Sequence, residues 1–136
     1  MKMVMVFGTF DIFHPGHRSF LRQAKKCGNY LIVVVARDKT VEQVKKHTTI
    51  NNEKKRKETI RESGLVDEVI LGSLKDKYAV IKKHKPNVIC LGYDQKFFID
   101  KLEEKIAEFG LKKTKIFKLK PFKPEMYKSS KLRKRA

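Results

Sequence analysis

Two histidines three residues apart, His14 and His17, end the stretch Gly8-Thr9-Phe10-Asp11-Ile12-Phe13-His14-Pro15-Gly16-His17, which lies between an apolar run and an amphipathic one. Imidazoles at this spacing, where a loop enters a helix, can aim at one phosphate. There they can donate hydrogen bonds to oxygens whose charge grows as the phosphoryl group transfers. Pro15 suits the first helical turn, where its missing N–H is no loss, so Gly16 and His17 fall among the backbone donors that the turn leaves unpaired. Those donors, with the positive end of the helix dipole, favour an anion. Gly8 and Gly16 let the backbone come close to it, and Asp11 is placed to hold an N–H or a histidine. The pattern reads as a strand-loop-helix phosphate site. His14 and His17 are its catalytic residues, with Gly8, Thr9, Phe10, Asp11 and Gly16 around the phosphate-bearing ligand.

The elements that must hold this loop follow from hydrophobic periodicity. Residues 3–7 are a short, partly β-branched run, expected as a strand buried on both faces. Residues 15–27 put Phe20, Leu21, Ala24 and Cys27 on one helical stripe, with Gly28 placed to end it in a left-handed cap. Residues 30–36 form the strongest strand and should be central. The polar, lysine-bearing residues 37–51 read as a mobile lid or an ordinary exposed loop, with Lys46 as the cation it supplies to the site. Asn51 or Asn52 can cap a helix over 53–63 that stops at Gly64. Further strands are expected at 69–71, 87–91 and 114–118. Helices are expected at 76–84, with Tyr78, Val80 and Ile81 inward, and at 99–109, with Leu102, Ile106 and Phe109 on one face and Gly110 as its stop.

Strands alternating with helices predict an α/β fold of the Rossmann-like, doubly wound kind: a parallel five-stranded sheet of order 3-2-1-4-5 with helices on both faces. Ligands of such sheets bind beyond the carboxyl ends of the strands that meet where the order reverses, here the first and the fourth. The fourth strand runs into Gly92-Tyr93-Asp94-Gln95. Gly92 would let the backbone approach, and Asp94 would orient a base or ribose or help hold a metal. Near the C-terminus, Ser129 and Ser130 are placed to cap a terminal helix and bind phosphate.

At 136 residues the chain is expected to be one domain, 1–136, whose basic segment of about 119–136 completes the site. The longest apolar run, 30–36, is far too short to span a membrane and the N-terminus lacks a signal-type core, so a cytoplasmic protein without membrane partners is expected. Cys27 and Cys90 sit at core positions and read as neither disulfide nor metal pair. The net charge is +18, and residues 112–136 hold eleven Lys or Arg against one acid, Glu125. Such a field draws in polyanions. Nucleic acid is not the expected partner, since the basic residues form no recognised binding motif, although a nucleic-acid-binding protein on this scaffold is the alternative from another class. No GxGxxG, GxxxxGK[ST], HExxH or CxxC pattern occurs, which removes dehydrogenase, P-loop and zinc-enzyme readings.

The run GTFDIFHPGH resembles the signature loop of the cytidylyltransferase-like nucleotidyltransferases of HxGH type, a family that includes archaeal FAD synthases and glycerol-3-phosphate cytidylyltransferases. The resemblance spans nearly the whole chain. It implies that His14 and His17 stabilise the α-phosphate of a nucleoside triphosphate while an acceptor phosphate attacks in line, with Mg²⁺ or a similar divalent ion and pyrophosphate as leaving group. The metal ligand stays open between Asp11 and Asp94. Arg56, at the family's distance before Val66-Asp67-Glu68-Val69, is implied to contact phosphate or fix the lid. Gly64 stands where some cytidylyltransferases have a second arginine. The closing Ser129-Ser130-Lys131-Leu132 is similar to the family's Ser/Thr-Ser/Thr-x-Ile motif, with Lys123 in place of the usual upstream arginine. Residues 36–41 and 91–95 are more similar to the FAD synthases, which implies ATP and FMN as substrates. The alternative is CTP with glycerol 3-phosphate. Phe10, Phe13, Phe97, Phe98, Phe122 and Tyr127 are aromatics available to an isoalloxazine, and a homodimer is the family's habit.

Overall fold

The computed structural model describes residues 2–45, 49–92 and 101–120. Five parallel strands form one sheet of order β3-β2-β1-β4-β5: β1 (Met3–Gly8), β2 (Tyr30–Val35), β3 (Glu68–Leu71), β4 (Val88–Leu91) and β5 (Lys115–Lys118). The helices are α1 (Pro15–Lys25), α2 (Asp38–Lys45), α3 (Glu53–Glu62), α4 (Ala79–His84) and α5 (Leu102–Glu108). The expected strand order is the one found.

Alternate residues of the two central strands feed two separate core layers, because successive side chains of a strand point to opposite faces. Val4 and Val6 of β1 and Leu31, Val33 and Val35 of β2 pack with Leu21 and Ala24 of α1 and Ile60 of α3. Met5, Phe7, Ile32 and Val34 face the other way and pack with Tyr78, with Val80 and Ile81 of α4, and with Leu102 and Ile106 of α5. Burial on both faces explains why β1 and β2 read as continuous apolar runs rather than alternating ones. Cys27 packs against the first layer and Cys90 lies within it, both as free thiols. Burial, then neighbouring Cys27, pushes the Cys90 thiol well above its ordinary range. Among the described residues no helix is long and apolar enough to cross a membrane.

Three local expectations need correction. Gly28 is not a left-handed cap. A Cβ there would lie 2.5 Å from the Lys2 carbonyl oxygen and 2.7 Å from Val4 Cγ2, so it is glycine because β1 passes against it. The left-handed glycines are Gly64 and Gly110, both at φ +73°. The stretch after β2 is not all loop, since α2 begins at once, with Val41 buried beneath it. The helix expected from residue 76 begins at Ala79, because the Asp76 carboxylate takes the Tyr78 N–H in a local turn (2.9 Å).

Candidate active site

His14 is the N-cap of α1, in extended conformation (φ −137°, ψ 174°), and its Nδ1 accepts the Gly16 N–H at 3.0 Å. A neutral imidazole has one donor and one acceptor nitrogen, so this bond places the proton on Nε2. Burial lowers the pKa of His14 below its ordinary 6.5, which favours that neutral form. The residue therefore presents an Nε2–H donor with its tautomer already chosen. Gly16 is corrected accordingly, since its N–H is taken by His14 and is not a donor left over for phosphate.

His17 lies one turn further on, and its ring stacks on that of His14 with centroids 3.8 Å apart and 26° between planes. Phe13 is also stacked with His17 (5.8 Å, 16°), and Phe10 meets it edge-on (5.2 Å, 72°). Arg18 covers Phe13 at 4.8 Å. The two imidazoles are thus held as a pair by aromatic neighbours. Phe10 is only 5% exposed, within the α1 core layer, so its ring serves as the support under His17. Its φ of +53° is one of two positive values among the described non-glycine residues. A left-handed side-chain residue costs roughly 1–3 kcal/mol and persists where its surroundings over-determine it, here a ring seated in the core. The same ring explains the glycine at Gly8: a Cβ on it would lie 2.6 Å and 2.7 Å from Phe10 Cε2 and Cζ.

Two clamps hold the loop from below. The Asp11 carboxylate, in a residue only 4% exposed, accepts the N–H groups of Ile50 (2.9 Å) and Asn51 (2.8 Å), while Asn51 Nδ2 donates to the Asp11 carbonyl (2.6 Å). Of the roles expected for Asp11, it takes that of holding backbone N–H groups. The second clamp is Arg56, whose side chain is fully buried. It donates to Asn51 O (3.0 Å), Thr9 O (2.9 Å), Ala36 O (2.8 Å) and Asp38 Oδ1 (2.6 Å). With four of five donors engaged, the guanidinium does not face a phosphate. It fastens the loop after β1, the end of β2 and the entry to α3, and of the two roles implied for it, contacting phosphate or fixing the stretch 37–51, its bonds to Asp38 and Asn51 serve the second.

Asp38 and Glu53, the first residues of α2 and α3, cap each other: the Asp38 N–H donates to Glu53 Oε1 (2.9 Å) and the Glu53 N–H to Asp38 Oδ2 (3.1 Å). Arg37 Nε lies 3.0 Å from the other Glu53 oxygen. Desolvation alone would raise the Asp38 pKa, but the hydrogen bonds from Arg56 and the Glu53 N–H outweigh it, and the carboxyl is held below its ordinary range. Nothing in the sequence announced this pair, because a capping box is recognised at a spacing of three residues and these partners are fifteen apart. Asn51, read only as a possible cap, was likewise missed as the partner of Asp11; Asn52 caps α3 (2.8 Å to the Lys55 N–H).

The sheet brings the second loop to the first. Val6 pairs with Cys90, so Gly8 and Gly92 each lie two residues beyond that pair, at the edge where the strand order reverses. Lys46, Asp94, Lys123, Ser129 and Ser130 lie outside the described residues, as do Phe97, Phe98, Phe122 and Tyr127. Among the described residues no group of three or more His, Cys, Asp or Glu could hold a metal, and both Asp11 carboxylate oxygens are engaged with backbone N–H groups.

Comparison with known proteins gives a family and the same fold. The sequence model of the family described as Cytidylyltransferase-like matches residues 5–135. A protein of Aciduliprofundum boonei named FAD synthase is 45% identical over 122 residues, 90% of this chain and 80% of that one. One of the same name from Methanohalophilus mahii is 41% identical over 99% of this chain and 94% of its own. The crystal structure of a lipopolysaccharide core biosynthesis protein from Thermoplasma volcanium superposes with a TM-score of 0.83 at 40% identity, covering 90% of this chain and 98% of that one.

Proposed function

From the premise that the chain belongs to the Cytidylyltransferase-like family, we propose that it transfers AMP from ATP to the phosphate of FMN, releasing pyrophosphate and forming FAD. The observation that carries the reading is the stacked histidine pair at the entry of α1, with Nδ1 of His14 engaged by Gly16 so that the ring proton sits on Nε2. Two imidazolium rings 3.8 Å apart would repel, so the pair works as neutral or singly charged donors. Their N–H groups bind the α-phosphate oxygens, whose charge increases as the acceptor adds. The FMN phosphate is the nucleophile and carries its own negative charge, so no strong base is required. Alignment within the clamped loop supplies much of the remainder. Mg²⁺ or a similar ion belongs to the family expectation. Asp11, engaged as it is, does not fit as its ligand, and no step here is routed through the ion.

The test is a matrix of ATP and CTP against FMN and glycerol 3-phosphate, scored by pyrophosphate release, for the wild type and His17→Ala. FAD is expected from ATP and FMN, with turnover roughly 10²–10³ lower in the variant at an unchanged unfolding midpoint. Activity only with CTP and glycerol 3-phosphate would replace this reading by a cytidylyltransferase. Salt-sensitive binding of nucleic acid with no pyrophosphate from either nucleotide would replace it by the scaffold alternative.

A further inference from the structure

Across the sheet from the histidines, on the face packed by α4 and α5, lies an open groove of about 450 Å³. It is lined by Thr40 of α2, Leu74 and Lys75 of the segment after β3, Tyr78, and Lys101 and Lys105 at the start of α5. It opens at the same carboxyl edge as the candidate active site: the Gly72 N–H donates to Val35 O at the end of β2 (2.9 Å), and Arg37 Nη1 reaches Gly72 O (3.4 Å). Tyr78 packs in the same core layer as Phe7, the residue before Gly8. The wall formed by α2 begins at Asp38, which Arg56 ties to the catalytic loop.

We propose that this groove takes the flavin end of the acceptor, with Leu74 covering the ring system and lysines meeting its electronegative edge. The proposal rests on the FMN reading above. The volume falls within the range of small-molecule sites, roughly 300–1,000 Å³. Leu74 is 55% exposed inside a groove whose lining holds Lys75, Lys77, Lys101 and Lys105 against one carboxylate, Asp76, and a large ring system with an electronegative edge satisfies both features. Glycerol 3-phosphate has no apolar surface to offer Leu74. Of the lysines, Lys105 is paired with Glu108 (3.3 Å) and the Lys77 ammonium sits over the Tyr78 ring (5.3 Å). Among the described residues Lys75 and Lys101 have no carboxylate partner, so the groove keeps positive charge for a ligand. Phe10 and Phe13 do not compete for this role, since both are engaged with His17.

The experiment measures FMN binding by quenching of flavin fluorescence, and the KM values for FMN and ATP, in the wild type, Leu74→Ser and the double variant Lys75→Glu/Lys101→Glu. All three positions tolerate polar substitution because they are exposed or line the open groove. Each variant is expected to weaken FMN binding about tenfold, with the KM for ATP unchanged. The charge-reversal effect should shrink as salt is raised. FMN affinities equal to the wild type would overturn the assignment. If the wild type forms no FAD, the reaction reading fails while the fluorescence titration still judges the groove. If the wild type binds no FMN, the groove assignment falls as well.

Discussion

In the proposed reaction His14 has a different task for each of its two nitrogens, and two substitutions should separate them. Asparagine places an amide oxygen close to the position of Nδ1 and is itself a favoured N-cap, but it offers nothing where Nε2–H stands. Alanine removes both. The lost cap in His14→Ala should cost roughly 1 kcal/mol, which in a chain of this length lowers the thermal midpoint by about 3–4 °C. His14→Asn should unfold like the wild type at about pH 7.5 yet share with His14→Ala a loss of turnover of roughly 10²–10³. The pH dependence adds a check. Burial holds the pKa of folded His14 below 6.5, so the folded protein binds fewer protons at this site than the unfolded chain does. The associated stability is fully present above pH 6.5 and is lost as pH falls through the lowered folded value. His14→Asn lacks this dependence, so it should gain on the wild type between about pH 7.5 and about pH 5 in urea titrations. If His14→Asn proves as unstable as His14→Ala, Nδ1 is not a cap. If it turns over near the wild-type rate, Nε2–H is not the donor.

Two further substitutions address the supports. Arg56→Met leaves three backbone carbonyls without their donor and takes one donor from Asp38, and should destabilise by roughly 3–5 kcal/mol in denaturant titrations. Arg56→Lys should recover only part of this, since one ammonium cannot span acceptors on three segments; full recovery would show that charge alone mattered. Gly8→Ala must displace the Phe10 ring that supports His17, with an expected loss of roughly 1–3 kcal/mol by thermal unfolding. Gly8→Ala/Phe10→Leu should be more stable than the sum of its single variants, and simple additivity would show that the ring is not the obstacle.

The apolar runs at 3–7 and 30–36, the helical stripes and the stops at Gly64 and Gly110 were legible in the chain because they are local. Side-chain period and backbone preference act over a few residues, and a buried parallel strand leaves a mark that neighbours cannot disguise. The histidine spacing was legible for the same reason, since three residues across a helix entry bring two rings together whatever the rest of the chain does. What the tertiary structure decided was which polar groups were already engaged. In the sequence Gly16 offers an N–H that His14 takes in the fold, Gly8 has a side that Phe10 fills, and Arg56 is left between contacting phosphate and fixing the lid until four acceptors from distant segments surround it. The reciprocal caps of Asp38 and Glu53 likewise join helices that meet only when β2 and β3 lie side by side. Hydrogen-bond partners and filled volume depend on contacts between remote parts of the chain, and a linear pattern carries no record of those.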